Sequence, residues 1–464
     1  MNCIVILLFF ILNGSYHNAY AQTCLSGTSS ISPSNKSMSI VSLDGPVTQN
    51  EIDLFIGFLE QPNRIPTTAL DNEIADKQPG QDVEALGLVY EVTQNPQILD
   101  RMITYSDTFL SLRNDPVNGR IMWTGKRELV WCTKPDNGTL SGYAGSEGLD
   151  TAGHIAYTAY HILKTPCLWD VNVTDNDPHK YGATYKERAL TYVTEMDKTI
   201  DTYYLKYFIR ENDSKIYNPN SSAWNKLGEM SANAPMPWNR QQMMTNGFLR
   251  MAECHEIIGD DASRVNKYFN IIQVSIDWMV KNFIQVKTKN GLDAYNWTYS
   301  TVSNSSEAIG IHSLYDIWGM YRAWQRKDKL NVSIDVMIKL ANTMMYIINI
   351  DNKTFATRVD GTYDNTSTAS LYGPWAFYAE FIPDWYKFVV NVNVNRTKTG
   401  PQYMGALLWV KNSRMVNSTY TPVNSTYTPI SPHTSTSSHI QALPGYEICK
   451  LSFLVLGIIL SYLY

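Results

Sequence analysis

Cysteine is scarce in this chain, with six in 464 residues. None sits in a CxxC pair, and the eight histidines are scattered, so no zinc-ligand or redox spacing can be read. No apolar run reaches the roughly 20 residues of a comfortable membrane span. Basic charge is also lacking: the net charge is −5, which offers no general attraction for nucleic acid or any other polyanion. Alternating strand patterns are few. No repeat of fixed period runs through the body of the chain, which counts against a solenoid.

The two ends carry signals rather than core. Ile4 to Leu12 is a short apolar stretch followed by Ala19-Tyr20-Ala21, the pattern of a secretory leader cleaved before Gln22. At the other end an uncharged run, Leu451 to Tyr464, follows a polar spacer and the small residues Ser435-Thr436-Ser437-Ser438. That order matches a glycosylphosphatidylinositol signal, with a slightly short membrane tail as the alternative. Between body and tail, Val416-Asn-Ser-Thr-Tyr-Thr-Pro422 recurs as Val423-Asn-Ser-Thr-Tyr-Thr-Pro429. Such a Ser/Thr/Pro-rich segment reads as an extended stalk.

Glycosylation sequons occur at Asn35, Asn137, Asn172, Asn212, Asn220, Asn304, Asn331, Asn352, Asn365 and Asn395, supporting the secretory route. Another, Asn296, is expected to be unmodified because of its neighbours. The expected division is a leader at 1–21, an extension at 22–45, a body at 46–401, a stalk at 402–438 and a tail signal at 439–464. Four cysteines then remain, Cys24, Cys132, Cys167 and Cys254. An even number in an oxidising compartment suggests two disulfides, Cys132–Cys167 being the favoured pair of several.

The body reads as helices. Val265, Phe269, Ile272, Ile276, Met279 and Phe283 form one apolar stripe, and Ala189, Tyr192, Met196, Ile200 and Tyr203 form another. Breakers such as Asn114-Asp-Pro116, Thr165-Pro166 and Gly259-Asp-Asp261 separate the segments. Consecutive helices with short connections pack as antiparallel pairs. An all-α domain follows, with a closed (α/α) toroid of six or seven hairpins as the architecture. Tryptophan (12) and tyrosine (30) are abundant; such side chains serve equally as core and as platforms for sugar rings.

The candidate chemistry lies in one stretch. Ala234-Pro-Met-Pro-Trp238-Asn239-Arg240 opens an apolar helical run, and Tyr295-Asn-Trp297-Thr-Tyr299, Glu307 and His312 follow. An arginine and an amide can hold a carboxylate, arginine through its planar fork. A tyrosine and a histidine can take and return protons. These roles suffice to remove the C5 proton of a uronate and expel the oxygen at C4, with fixed donors stabilising the enolate. Tyr299 and His312 are the acid/base candidates in either order. Glu307 would orient His312 or Arg240. Plainer readings stand beside these: Arg240 on a helix surface, His312 as a half-buried packing residue, and Asn304-Ser-Ser-Glu307 as a helix cap.

These runs, with Gly153-His154-Ile-Ala-Tyr157 and Trp123-Thr-Gly125…Val130-Trp131, resemble the all-helical toroid polysaccharide lyases that act on uronic-acid polymers. Polysaccharide lyase family thirty-eight, the glucuronan and alginate type, is the placement. The resemblance implies a central cleft, metal-independent β-elimination without a cofactor, and an acidic polysaccharide as partner. It also implies catalytic Tyr299, His312, Arg240, Asn239 and Glu307. His154, Tyr157, Trp238, Tyr295, Trp297 and Tyr315 would line the substrate path. A monomer tethered at the cell surface is expected. The rivals are a toroid glycoside hydrolase with paired carboxylates such as Glu147 and Asp150, and a non-catalytic surface glycan receptor.

Overall fold

The computed structural model describes residues 40, 45–59, 78–114, 116–133, 142–227, 231–350, 355–363, 373–394 and 400–416. The leader, most of the extension, the tail, and the sequons at Asn35, Asn137, Asn352, Asn365 and Asn395 lie outside them. Among the described residues no helix is long and apolar enough to cross a membrane.

Among the described residues, eleven longer helices carry the fold and are numbered here as α1 Gln49–Leu59, α2 Gln78–Thr93, α3 Pro96–Ser111, α4 Ser146–Leu163, α5 Tyr185–Thr199, α6 Trp238–Ile258, α7 Ala262–Lys281, α8 Ile311–Gln325, α9 Ile334–Thr343, α10 Pro383–Val394 and α11 Pro401–Val416. A 3-10 helix, Gly373–Glu380, stands between α9 and α10. Local chemistry sets several of the ends. Asn95 accepts the amide of Gln97 ahead of Pro96 at the start of α3. Thr184 and Glu187 form a reciprocal capping box on α5. Asp261 and Ser333 cap α7 and α9. Gly259 closes α6 in the left-handed region at φ 75°.

Packing closes these elements into a ring. α2 packs on α4, α4 on α6, α6 on α8, α8 on the 3-10 helix, that helix on α11, and α11 back on α2. Outside each lies a partner: α3, α5, α7, α9, α10 and, for α11, the N-terminal α1. This is an (α/α) toroid of six hairpins. One hairpin is assembled from the two extremes of the body, α1 and α11. The first turns of α4 and α6 touch through Glu147 and Arg240. Last-turn residues meet as well, as Trp324 and Glu380 do. The inner helices therefore run parallel and gather their N-termini at one end.

The predicted stripes hold. Val265, Phe269, Ile272, Ile276 and Met279 of α7 are buried, as are Ala189, Tyr192, Met196, Ile200 and Tyr203. Trp131, Trp224, Trp238, Trp297, Trp375 and Trp385 are among the largest fully buried side chains. Much of the tryptophan is thus core. The one sheet among the described residues is a hairpin, β1 Ile284–Lys287 with β2 Asp293–Asn296 antiparallel to it.

Two expectations are corrected here. The body does not stop at residue 401: 401–416 is α11, with Tyr403, Met404, Leu407 and Leu408 buried in the ring. The favoured cysteine pairing also fails, although Cys167 is itself disulfide-bonded. Cys132 and Cys254 are free, buried thiols, so the Cys132–Cys167 bridge is not formed and two bridges cannot be drawn from the four body cysteines.

Candidate active site

The backbone ahead of α4 is held by a π-helical turn. The turn at Ile200–Tyr204, continuing α5, carries two inward phenols. Tyr203 donates to the Ala144 carbonyl at 2.9 Å and Tyr204 to the Gly145 carbonyl at 3.1 Å. These two anchors fix where Glu147 stands in the first turn of α4. From the first turn of α6, Arg240 reaches it, with Nη1 3.4 Å from Glu147 Oε1. The pair is partly open, its side chains 24% and 16% exposed.

The loop before α8 supplies the other wall. Trp238 N–H donates to the Tyr299 carbonyl at 3.3 Å, and Glu307 N–H to the Trp297 carbonyl at 2.9 Å. The Tyr299 phenol is hydrogen-bonded with Arg240. Its ring lies 5.2 Å from that of His312, in the first turn of α8. His312 Nδ1 is 3.6 Å from Glu307 Oε1, with the imidazole exposed and the carboxylate buried. Burial raises the Tyr299 pKa above its ordinary value, Arg240 opposing and the charges of Glu307 and Glu147 adding to the rise. Two carboxylates therefore flank one neutral phenol.

Glu307 is not the helix cap that its sequence suggests. α8 begins only at Ile311, and the Glu307 side chain accepts its neighbour's amide, Ala308 N–H, at 2.7 Å. Its other oxygen is buried without a partner among the described residues, as is Oδ1 of Asp316. Burial first, and then the charge of Glu307, pushes the Asp316 carboxyl well above the ordinary range. Trp297 Nε1 donates to its other oxygen at 2.8 Å.

Behind the mouth, four inner helices share a buried polar network. His154 lies 3.1 Å from Glu84 and 3.4 Å from Asp150. Arg322 is 3.0 Å from Glu84. Asn246 and Tyr315 donate to Asp150 at 2.7 and 3.2 Å. Burial opposes charge on His154, but Asp150 and Glu84 overcome it and push the imidazole up to about 10. Glu84 is held well below the ordinary carboxylate range: Arg322 and His154 overcome its burial.

The sequence candidates divide sharply. Arg240, Tyr299, His312 and Glu307 converge. Asn239 sits beside Arg240, buried, with its side-chain oxygen unpartnered among the described residues. His154, Tyr157, Trp238, Trp297 and Tyr315 are buried instead. Tyr295 is half-buried and stacked on Phe283 at 4.9 Å. Asp150 is wholly buried and bound up in the network, so Glu147 and Asp150 are not a working pair. Sequence reasoning overlooked Glu84, Asp316 and Arg322. Their one signal is a charged residue at an inward position of an otherwise apolar helix.

No family model matches the sequence, and no curated protein matches it. Among solved structures the chain is similar to a glycoside hydrolase family 76 mannosidase from Bacteroides thetaiotaomicron, with 11% identity, a TM-score of 0.38, and coverage of 74% of this chain and 71% of that one. It is also similar to a family 76 alpha-mannanase from Bacteroides thetaiotaomicron, with 11% identity, a TM-score of 0.40, and coverage of 80% of each. The toroid assignment itself rests on the closed ring of helix contacts.

The expectation of a uronate lyase is corrected. No family model and no curated protein matches the chain to lyase family thirty-eight. The site supplies the physical objection. A uronate carboxylate needs unspent positive charge, but Arg240 is already committed to Glu147, and Glu307 adds further negative charge. A tyrosinate base is disfavoured as well, because burial keeps the Tyr299 proton on.

Proposed function

We propose that the chain is a glycoside hydrolase that cleaves a polysaccharide at the end of the toroid where the inner helices begin. The observation that carries this reading is the pair of unlike carboxylates around Tyr299: Glu147 reaches solvent beside Arg240, whereas Glu307 is buried behind His312. Glycoside hydrolysis needs one group to donate a proton to the departing oxygen and another to attack or activate water from the opposite side. Glu147 takes the second role, held in place by Arg240. His312 delivers the proton, with Glu307 as its positioning residue. Tyr299 donates a hydrogen bond to the sugar. The proposed setting is outside the cell at its surface, a reading supported by the leader, sequons and tail signal of the sequence.

The full chain is to be incubated with mannans, glucans, xylans and uronans while new reducing ends and the near-ultraviolet absorbance of unsaturated uronates are followed. Reducing ends without that absorbance are expected. Glu147→Gln and His312→Ala should each lower kcat by ~10²–10⁴-fold. Glu307→Gln should shift the pH profile while leaving KM nearly unchanged. Full activity in Glu147→Gln, or no reducing ends on any polymer, would sink the proposal.

A further inference from the structure

Residues 206–210, 217–221, Ala223 and Asn233, with Trp123 and Thr124, line an open cavity of about 580 Å³, within the range of small-ligand sites. None of its lining residues belongs to the mouth described above. Trp123, Tyr207 and Tyr217 form part of the wall, with Lys206, Arg210 and Asn218 among the polar groups.

Three features give this wall a chemical preference. Asn218 is 2% exposed; its amide donates to the Ser231 carbonyl at 3.2 Å, while its side-chain oxygen is buried without a partner among the described residues. A buried acceptor left unmatched costs about 1–3 kcal/mol, which a hydroxyl donor from a ligand would recover. The Arg210 guanidinium lies flat on the Tyr217 ring at 3.2 Å, and the same ring is stacked with Trp278. One Arg210 nitrogen donates to Asn233 at 2.9 Å, leaving the rest of the rigid fork for an anion. Finally, the described lining residues include Lys206 and Arg210 but no carboxylate, on a chain whose net charge is −5.

We propose that this cavity is a binding site for an acidic saccharide unit. Its carboxylate or sulfate would lie on the Arg210 fork near Lys206, and a ring hydroxyl would donate to Asn218. The choice of a saccharide rests on the glycan-processing reading; the preference for an anion does not. The site holds a chain without cutting it.

The test uses the full chain carrying Glu147→Gln, to stop turnover, and Asn220→Gln, to keep a chain-borne glycan off the rim. Uronate-containing, sulfated and neutral oligosaccharides of matched length are titrated by calorimetry. The uronate or the sulfated arm should bind at least ~10-fold more tightly than the neutral arm, the size of one charge-assisted contact. Arg210→Ala should weaken that binding by ~10-fold or more. Lys206→Ala, at an exposed position that cannot compromise folding, should weaken it by a smaller factor. Equal binding of neutral and acidic arms, no acidic binding, or indifference to both substitutions would overturn the proposal. Acidic binding by a chain whose unsubstituted form cuts no polymer would leave this site standing and remove the hydrolase.

Discussion

Gly145 shows how tightly the mouth is built. A methyl group there would lie 2.6 Å from Glu147 Oε2 and 3.5 Å from Arg240 Nη1. Gly145→Ala should therefore push the carboxylate off its guanidinium while leaving the ring intact. The expected result is a fall in kcat of ~10²-fold, typical of ångström-scale misplacement, with little change in melting temperature. His154 gives a second handle. Its pKa is up to about 10 in the folded chain against about 6.5 unfolded. The stability it contributes is thus complete below about pH 6.5 and disappears as pH rises toward 10. Between pH 7 and 9.5 the melting temperature of the native chain should fall more steeply than that of His154→Gln; parallel slopes would show that the network does not hold the proton. At this scale the sequence exposed the residues that lie in one run, Arg240, Tyr299, Glu307 and His312. It offered Glu147 only within the rival hydrolase reading, paired with Asp150, because Glu147 joins the others only when α4 meets α6. Nor could it tell Trp238 and Trp297 from sugar platforms, because an aromatic ring suits a core and a cleft equally well.

Among the elements, α4 and α6 approach most intimately, and glycine permits it. A methyl group on Gly247 would meet the Leu149 carbonyl oxygen at 2.5 Å, and one on Gly153 would meet the Asn246 side chain at 2.8 Å. Backbone cannot yield as a flexible side chain can. Gly247→Ala should cost about 1–3 kcal/mol or more through overpacking, seen as a lower denaturation midpoint, and should also disturb Glu147 and Arg240, which head the same two helices. An unchanged midpoint would mean that the helices can move apart freely. Helical periodicity revealed these elements well, since one buried stripe per helix is what a toroid requires. The π-turn at Ile200–Tyr204 left no mark, because its apolar residues fit an ordinary helix equally well. The body boundary expected at 401 missed in the opposite direction. Pro401 opens α11, where a first-turn proline gives up no hydrogen bond.

For the molecule as a whole, closure of the ring is the decisive event, and it joins residues 360 positions apart: Lys411 of α11 lies 2.9 Å from Glu51 of α1, the two side chains 1% and 0% exposed. A pair so deeply buried adds little net stability, but removing one partner strands a charge and costs about 3–5 kcal/mol. Lys411→Met should therefore destabilise the chain strongly, whereas Glu51→Leu with Lys411→Met should recover most of the loss. Chain shortening asks the same question more bluntly. A chain ending at 401 lacks α11, strips α1 of its partner and α2 and the 3-10 helix of one neighbour each, and should yield no cooperative melt. A chain ending at 416 keeps the ring and should melt as the full chain does. Matching melts from both shortened chains would mean that the barrel holds together without its sixth hairpin, and the toroid would then be an arc rather than a closed ring.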